Sequence, residues 1–138
     1  MDADAEFQTF LDAISDCFIA RDFDAWQAHI LLPFSMVTRA GPQLFDTPDA
    51  LRSNFDHYLQ ACDAMQLDLI YRKPLALERS MDGTWVGTYE TSLLSGGKRA
   101  TAAYTSSALL EVVDGRFKMR SILNARGHTD WTGVAAKS

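Results

Sequence analysis

Long hydrophobic runs are missing from this chain, and so is any excess of basic charge. No apolar stretch approaches the roughly 18 residues that cross a bilayer, which argues against a membrane partner. Lys and Arg number 13 against 18 Asp and Glu, for a net charge of -5, so there is no cationic surface to neutralise phosphates and nucleic acid is not an expected partner. Cysteine is scarce: Cys17 and Cys62 are far apart, each within a helical pattern, in no C-x-x-C or Cys/His spacing. They read as buried free thiols. Of the three histidines, His29, His57 and His128, no two have metal-pair spacing on one element, and H-x-H and H-E-x-x-H are absent. No metal and no cofactor is expected. G-x-S-x-G and G-x-G-x-x-G are also lacking, which disfavours elbow hydrolases and dinucleotide enzymes. Ser95-Gly96-Gly97-Lys98 joins two strand patterns instead of opening a helix, so it is a turn and not a phosphate loop. The first residues are acidic where a secretory leader would be basic, and the expected location is the cytoplasm.

What the chain does have is alternation and helical periodicity in quantity. Its 138 residues suit one domain, with an ordered core over 6–126 and a tail over 127–138. Phe7, Phe10, Leu11, Ile14 and Phe18 recur at helical spacing with Asp12, Ser15 and Asp16 opposite. Asp22 can cap a short second helix carrying Phe23, Trp26 and Ile30, which Pro33 stops. Residues 34–39 alternate as a strand, Ala40-Gly41-Pro42 turns, and 43–46 return. Thr47 and Pro48 then open a third helix as N-cap and first helical residue. Leu67, Leu69, Tyr71, Leu75 and Leu77 share one parity of a long strand, with Asp68, Arg72 and Glu78 on the other and a bulge, kink or edge at Pro74.

Over 84–126 two turns fix a register by arithmetic. With Gly96-Gly97 as the first, Tyr89 faces Tyr104 and Thr91 faces Ala102; with Asp114-Gly115 as the second, Leu110 faces Met119 and Ser106 faces Leu123. The inner face then carries Trp85, Tyr89, Leu93, Tyr104, Leu110, Val112, Phe117, Met119 and Leu123. Glu90 falls outside. The outer face is small and weakly polar, and Thr105, Ser107, Leu109, Ile122 and Asn124 form its expected homodimer contact.

This order of elements resembles the nuclear transport factor 2-like superfamily and, within it, the SnoaL-like polyketide-cyclase group. The resemblance spans about 6–126 and rests on Arg21-Asp22-Phe23-Asp24-Ala25-Trp26, on Thr47-Pro48-Asp49-Ala50-Leu51, and on Val113-Asp114-Gly115-Arg116-Phe117-Lys118-Met119. It implies an α+β fold: a cone-shaped curved sheet, mixed or antiparallel, wrapped around three N-terminal helices, a cystatin-like α+β roll. Such folds host isomerases, dehydratases and cyclases as well as binding and scaffold proteins, so fold alone leaves function open. Relatives usually work with an inward carboxylate or His-Asp pair; here His57, His128 and Glu90 are the weak candidates. The inner residues suit instead an internal pocket for a small, apolar or aromatic molecule, neutral or anionic, lined by Trp26, Tyr58, Tyr71, Tyr89, Thr91, Tyr104 and Ser106. Lys73 joins them unless a bulge at Pro74 turns it out. The alternative is a non-catalytic dimeric scaffold or accessory subunit acting through the outer sheet face.

Overall fold

Helix starts are written into the chain as acidic and hydroxyl caps. The computed structural model describes residues 1–123. Helix α1, Ala3–Ile19, opens with Asp2 accepting from the amide of Ala5, and Asp4 and Glu6 complement its first turn. Asp22 accepts from the amide of Ala25 to start α2, Phe23–Gln27, and Thr47 accepts from the amide of Ala50 to start α3, Pro48–Ala64. Between α1 and α2 the chain reverses at Arg21, whose φ of 59° makes it one of three non-glycine residues in the left-handed region among the described residues.

The second helix ends six residues short of Pro33, at Gln27. Backbone bonding explains it: the amide of His29 already turns back to the carbonyl of Trp26, and its own carbonyl accepts from the amide of Met119 on a distant strand. Strand β1, Ile30–Thr38, therefore begins early and runs through Pro33. Proline is tolerated because β1 pairs with β7, Arg116–Leu123, through Ile30 and again through Ser35, with an irregularity between them that asks no amide of Pro33.

The remaining strands are β2 (Gly41–Phe45), β3 (Leu69–Arg79), β4 (Trp85–Ser95), β5 (Lys98–Arg99) and β6 (Tyr104–Val113). They form one curved, unclosed sheet in the order β2-β1-β7-β6-β4-β3, with β5 beside β4 and only β1 and β7 parallel. The helices pack into its concave side. Gly87 is needed there because a Cβ at that position would lie 2.5 Å from Cζ of Phe7 on α1. No helix among the described residues is long and apolar enough to cross a membrane.

Register departs from the turn arithmetic in two ways. In the first hairpin Ser95 faces Lys98 as expected, but 100–103 then loop out, and Tyr89 faces Ser106 while Thr91 faces Tyr104. That slip is of two residues, so every side chain keeps its face. In the second hairpin Leu110 faces Met119 as expected, but Arg120 is an extra residue, and Leu109 faces Ser121 while Ala108 faces Ile122. That slip is of one residue. It turns Ile122 inward and leaves Leu123 outside and 51% exposed. Arg120 occupies the bulge usefully: it donates to Glu111 and to the carbonyls of Leu32 and Pro33, in the stretch of β1 whose pairing is interrupted.

Candidate functional site

The residues that meet inside the cone come from every layer of the fold. Phe18 of α1, Trp26 of α2 and Phe55 of α3 form an aromatic cluster, with the Phe18 and Phe55 rings stacked at 4.8 Å and the Trp26 and Phe55 rings 5.4 Å apart. Phe34 of β1 extends it, edge-on to Trp26. Between this cluster and the inner face of β3, β4 and β6 lies a cavity of about 80 Å³. Its deep lining, including Ile14, Phe34, Tyr89, Leu93 and Met119, is buried. Tyr58, Cys62, Met65, Leu67, Tyr104 and Ile122 are half-buried and define the side nearest solvent.

Six of the seven pocket residues expected from sequence line this cavity: Trp26, Tyr58, Tyr89, Thr91, Tyr104 and Ser106. Tyr71 does not; it is 46% exposed. The cause is the bulge at Pro74. Leu77 faces Gly87 on the inner side, but Leu75 is the extra residue, so before the bulge the inward residues are Ile70 and Arg72 instead of Leu69 and Tyr71. Lys73 is exposed opposite Glu90, and Glu90 itself lies on the outer face between Lys73 and Thr105. His57 is exposed on α3 and His128 lies outside the described residues. On the expected dimer face Thr105 is exposed and Ser107 and Leu109 are half-buried, while Ile122 has moved to the cavity wall for the reason given and Asn124 lies outside the described residues.

Arg72 is the residue that alternation concealed. It is the one ionisable Arg, Lys, His, Asp or Glu among the described residues that line the cavity. Its Nη1 donates to Ser15 Oγ at 2.8 Å, and Ser15 in turn donates to the carbonyl of Leu11. Its Nε is buried with no partner, and so is Oγ1 of Thr91, its direct cross-strand neighbour. Arg72, Thr91 and Tyr104 thus make one row across three strands, and Tyr89 and Ser106 pair in the next. Burial raises the Tyr89 phenol to about 12, against the opposing pull of the Arg72 charge and of hydrogen bonds with Ser106 and Arg72. At neutral pH it is a proton-bearing donor, not a base.

The thiols are equally quiet. Burial first, and then the charge of Asp22 at Cys17 and of Asp63 at Cys62, raises both above the ordinary cysteine range, so neither is an activated thiolate. What the arrangement can do is hold an apolar body against the aromatic cluster and present hydroxyls and one cation to a polar end.

No protein-family model matches the chain, and no curated protein matches it. Solved structures do. The chain is similar to Aln2 from a Streptomyces species, at 16% identity and a TM-score of 0.65 over 91% of each chain. It is similar to an NTF-2 like protein of unknown function from Shewanella oneidensis, at 13% identity and a TM-score of 0.63, covering 89% of this chain and 98% of that one. A domain of unknown function with a cystatin-like fold from Nostoc punctiforme gives 11% identity and a TM-score of 0.64, over 99% of this chain and 90% of the other. Identities this low carry architecture and not activity. The chain has the nuclear transport factor 2-like fold, the α+β architecture also described as cystatin-like.

Proposed function

We propose that this protein binds a small, largely apolar organic molecule in the cavity between its helices and its sheet. One observation carries the proposal: a core packed with stacked aromatics keeps a hole of about 80 Å³ whose lining includes the hydroxyl residues Tyr89, Thr91 and Ser106. At about 24 cal/mol per Å³, a hole of this size costs on the order of 2 kcal/mol of stability, which a fitting ligand restores. An isomerase, cyclase or dehydratase reaction on that ligand would need an inward base. No Asp, Glu or His among the described residues lines the cavity, so binding is favoured over acid–base turnover. Two free cysteines are in keeping with a reducing, cytoplasmic setting.

Thermal unfolding in the presence of indole or p-cresol tests the reading. The midpoint should rise with ligand concentration, and the rise should vanish in Cys62→Trp, which fills the solvent side of the cavity. A midpoint unmoved by millimolar concentrations of either compound overturns it.

A second reading has its own observation. Val86 and Leu123 stand exposed on the outer face near Leu109, and a homodimer formed there would cover them. Light scattering on the eluting protein should give twice the monomer mass, reduced to one by Val86→Glu with Leu109→Glu. A wild-type monomer at high concentration rejects it.

A further inference from the structure

We propose that the cavity's ligand is an organic anion, a small aromatic or aliphatic carboxylate, whose charged end docks on Arg72 and Thr91 while its apolar body lies against Phe18 and Trp26. The inference rests on the cavity being a binding site, and adds the charge and orientation of what it holds.

The first ground is charge. Arg72 brings a guanidinium into a wall whose other described residues are uncharged, and no carboxylate among them answers it. The ion pairs among the described residues are elsewhere, Arg21 with Asp63 and Arg120 with Glu111. A cation without a counter-charge in a low-dielectric wall is costly to keep, and an anionic ligand removes that cost by supplying the partner.

The second ground is hydrogen bonding. Native structures leave few buried polar atoms unsatisfied, and among the described residues the buried side-chain atoms without a partner are Nε of Arg72 and Oγ1 of Thr91, on directly paired residues in the same wall. Nη1 of Arg72 is held by Ser15, which fixes the plane of the guanidinium from the helical side and leaves the Nε edge uncommitted. A planar carboxylate is the group that matches a guanidinium edge with two parallel acceptor oxygens, and either oxygen also accepts from a threonine hydroxyl. Tyr89, fully buried, lines the same corner in the next row, opposite Ser106.

The third ground is the opposite wall. Phe18, Trp26 and Phe34 are apolar, and the polar groups that α3 adds to the lining, Asn54 and Tyr58, are uncharged, so a dianion or a zwitterion is disfavoured.

Benzoate and nitrobenzene share shape and two in-plane oxygens but differ in charge, and their dissociation constants with the wild-type protein can be compared by isothermal titration calorimetry. Benzoate should bind at least tenfold more tightly than nitrobenzene. Arg72→Met should weaken benzoate at least tenfold and leave nitrobenzene within twofold; Thr91→Val should weaken benzoate several-fold without unfolding the protein, as circular dichroism will show. Nitrobenzene binding as well as benzoate, or benzoate surviving Arg72→Met, overturns the anion site and leaves the cavity as a neutral pocket. Neither compound binding overturns both readings together. The wild-type comparison needs no variant to fold.

Discussion

The helical wall of the cavity and its sheet wall are built from different chemistry. Phe18, Trp26 and Phe55 meet edge to face and face to face, ring against ring. Across the gap, Arg72, Thr91, Tyr89 and Ser106 put polar groups where a purely structural core would have placed leucine or valine. The first wall holds the fold together. The second gives up some stability, and a wall that does so is better explained by what it contacts than by what it supports.

Substitutions should separate the two. Phe55→Ala removes the ring that joins α3 to both other helices and is expected to cost about 3–5 kcal/mol in urea denaturation, with loss of cooperative unfolding as the extreme case. Next in size is the alkaline behaviour of Tyr89. Its folded pKa of about 12 lies above the unfolded value near 10, so the folded state keeps a proton that the unfolded chain releases. Stability tied to this group is whole below pH 10 and drains away between about 10 and 12, on the order of 3 kcal/mol. Tyr89→Phe should flatten that part of the decline; an unchanged slope above pH 10 would show that the phenol is not the source.

Gly87 sits at the seam between the walls, where α1 crosses β4. Gly87→Ala should cost about 1–3 kcal/mol because the added methyl meets the Phe7 ring, and Phe7→Leu should recover part of the loss when combined with it. The smallest effect belongs to the polar wall. Arg72→Met should leave stability unchanged or raise it by about 1 kcal/mol, since a half-buried charge with no carboxylate partner among the described residues is removed and Ser15 keeps its bond to Leu11. A loss of more than about 1 kcal/mol would make Arg72 a structural residue and erase the contrast.

Much of this fold was legible because caps and turns are local. Thr47 with Pro48, and Asp22 before Phe23, act within one helical turn, and both helices begin where these residues say. Register accumulates along a strand, so one irregularity alters everything beyond it. The loop over 100–103 shifted the first hairpin by two and left Glu90 outside and Tyr89 inside. The extra Arg120 shifted the second by one and exchanged Ile122 for Leu123. Arg72 was hidden in the same way, because Leu67, Leu69, Tyr71, Leu75 and Leu77 outvoted Ile70 when alternation was read through Pro74 without a break. The signal was present all the same. A bulge at Pro74 with Leu77 inside requires the opposite parity upstream, and that parity contains Ile70 and Arg72.

The two strands that end the sheet order, β2 and β3, each carry a proline, Pro42 and Pro74, and β3 is bent by its bulge as well. A strand that lacks a donor in mid-course is a poor template for another chain to zip against. Copies of this protein at high concentration are therefore discouraged from growing by strand addition into open-ended ribbons.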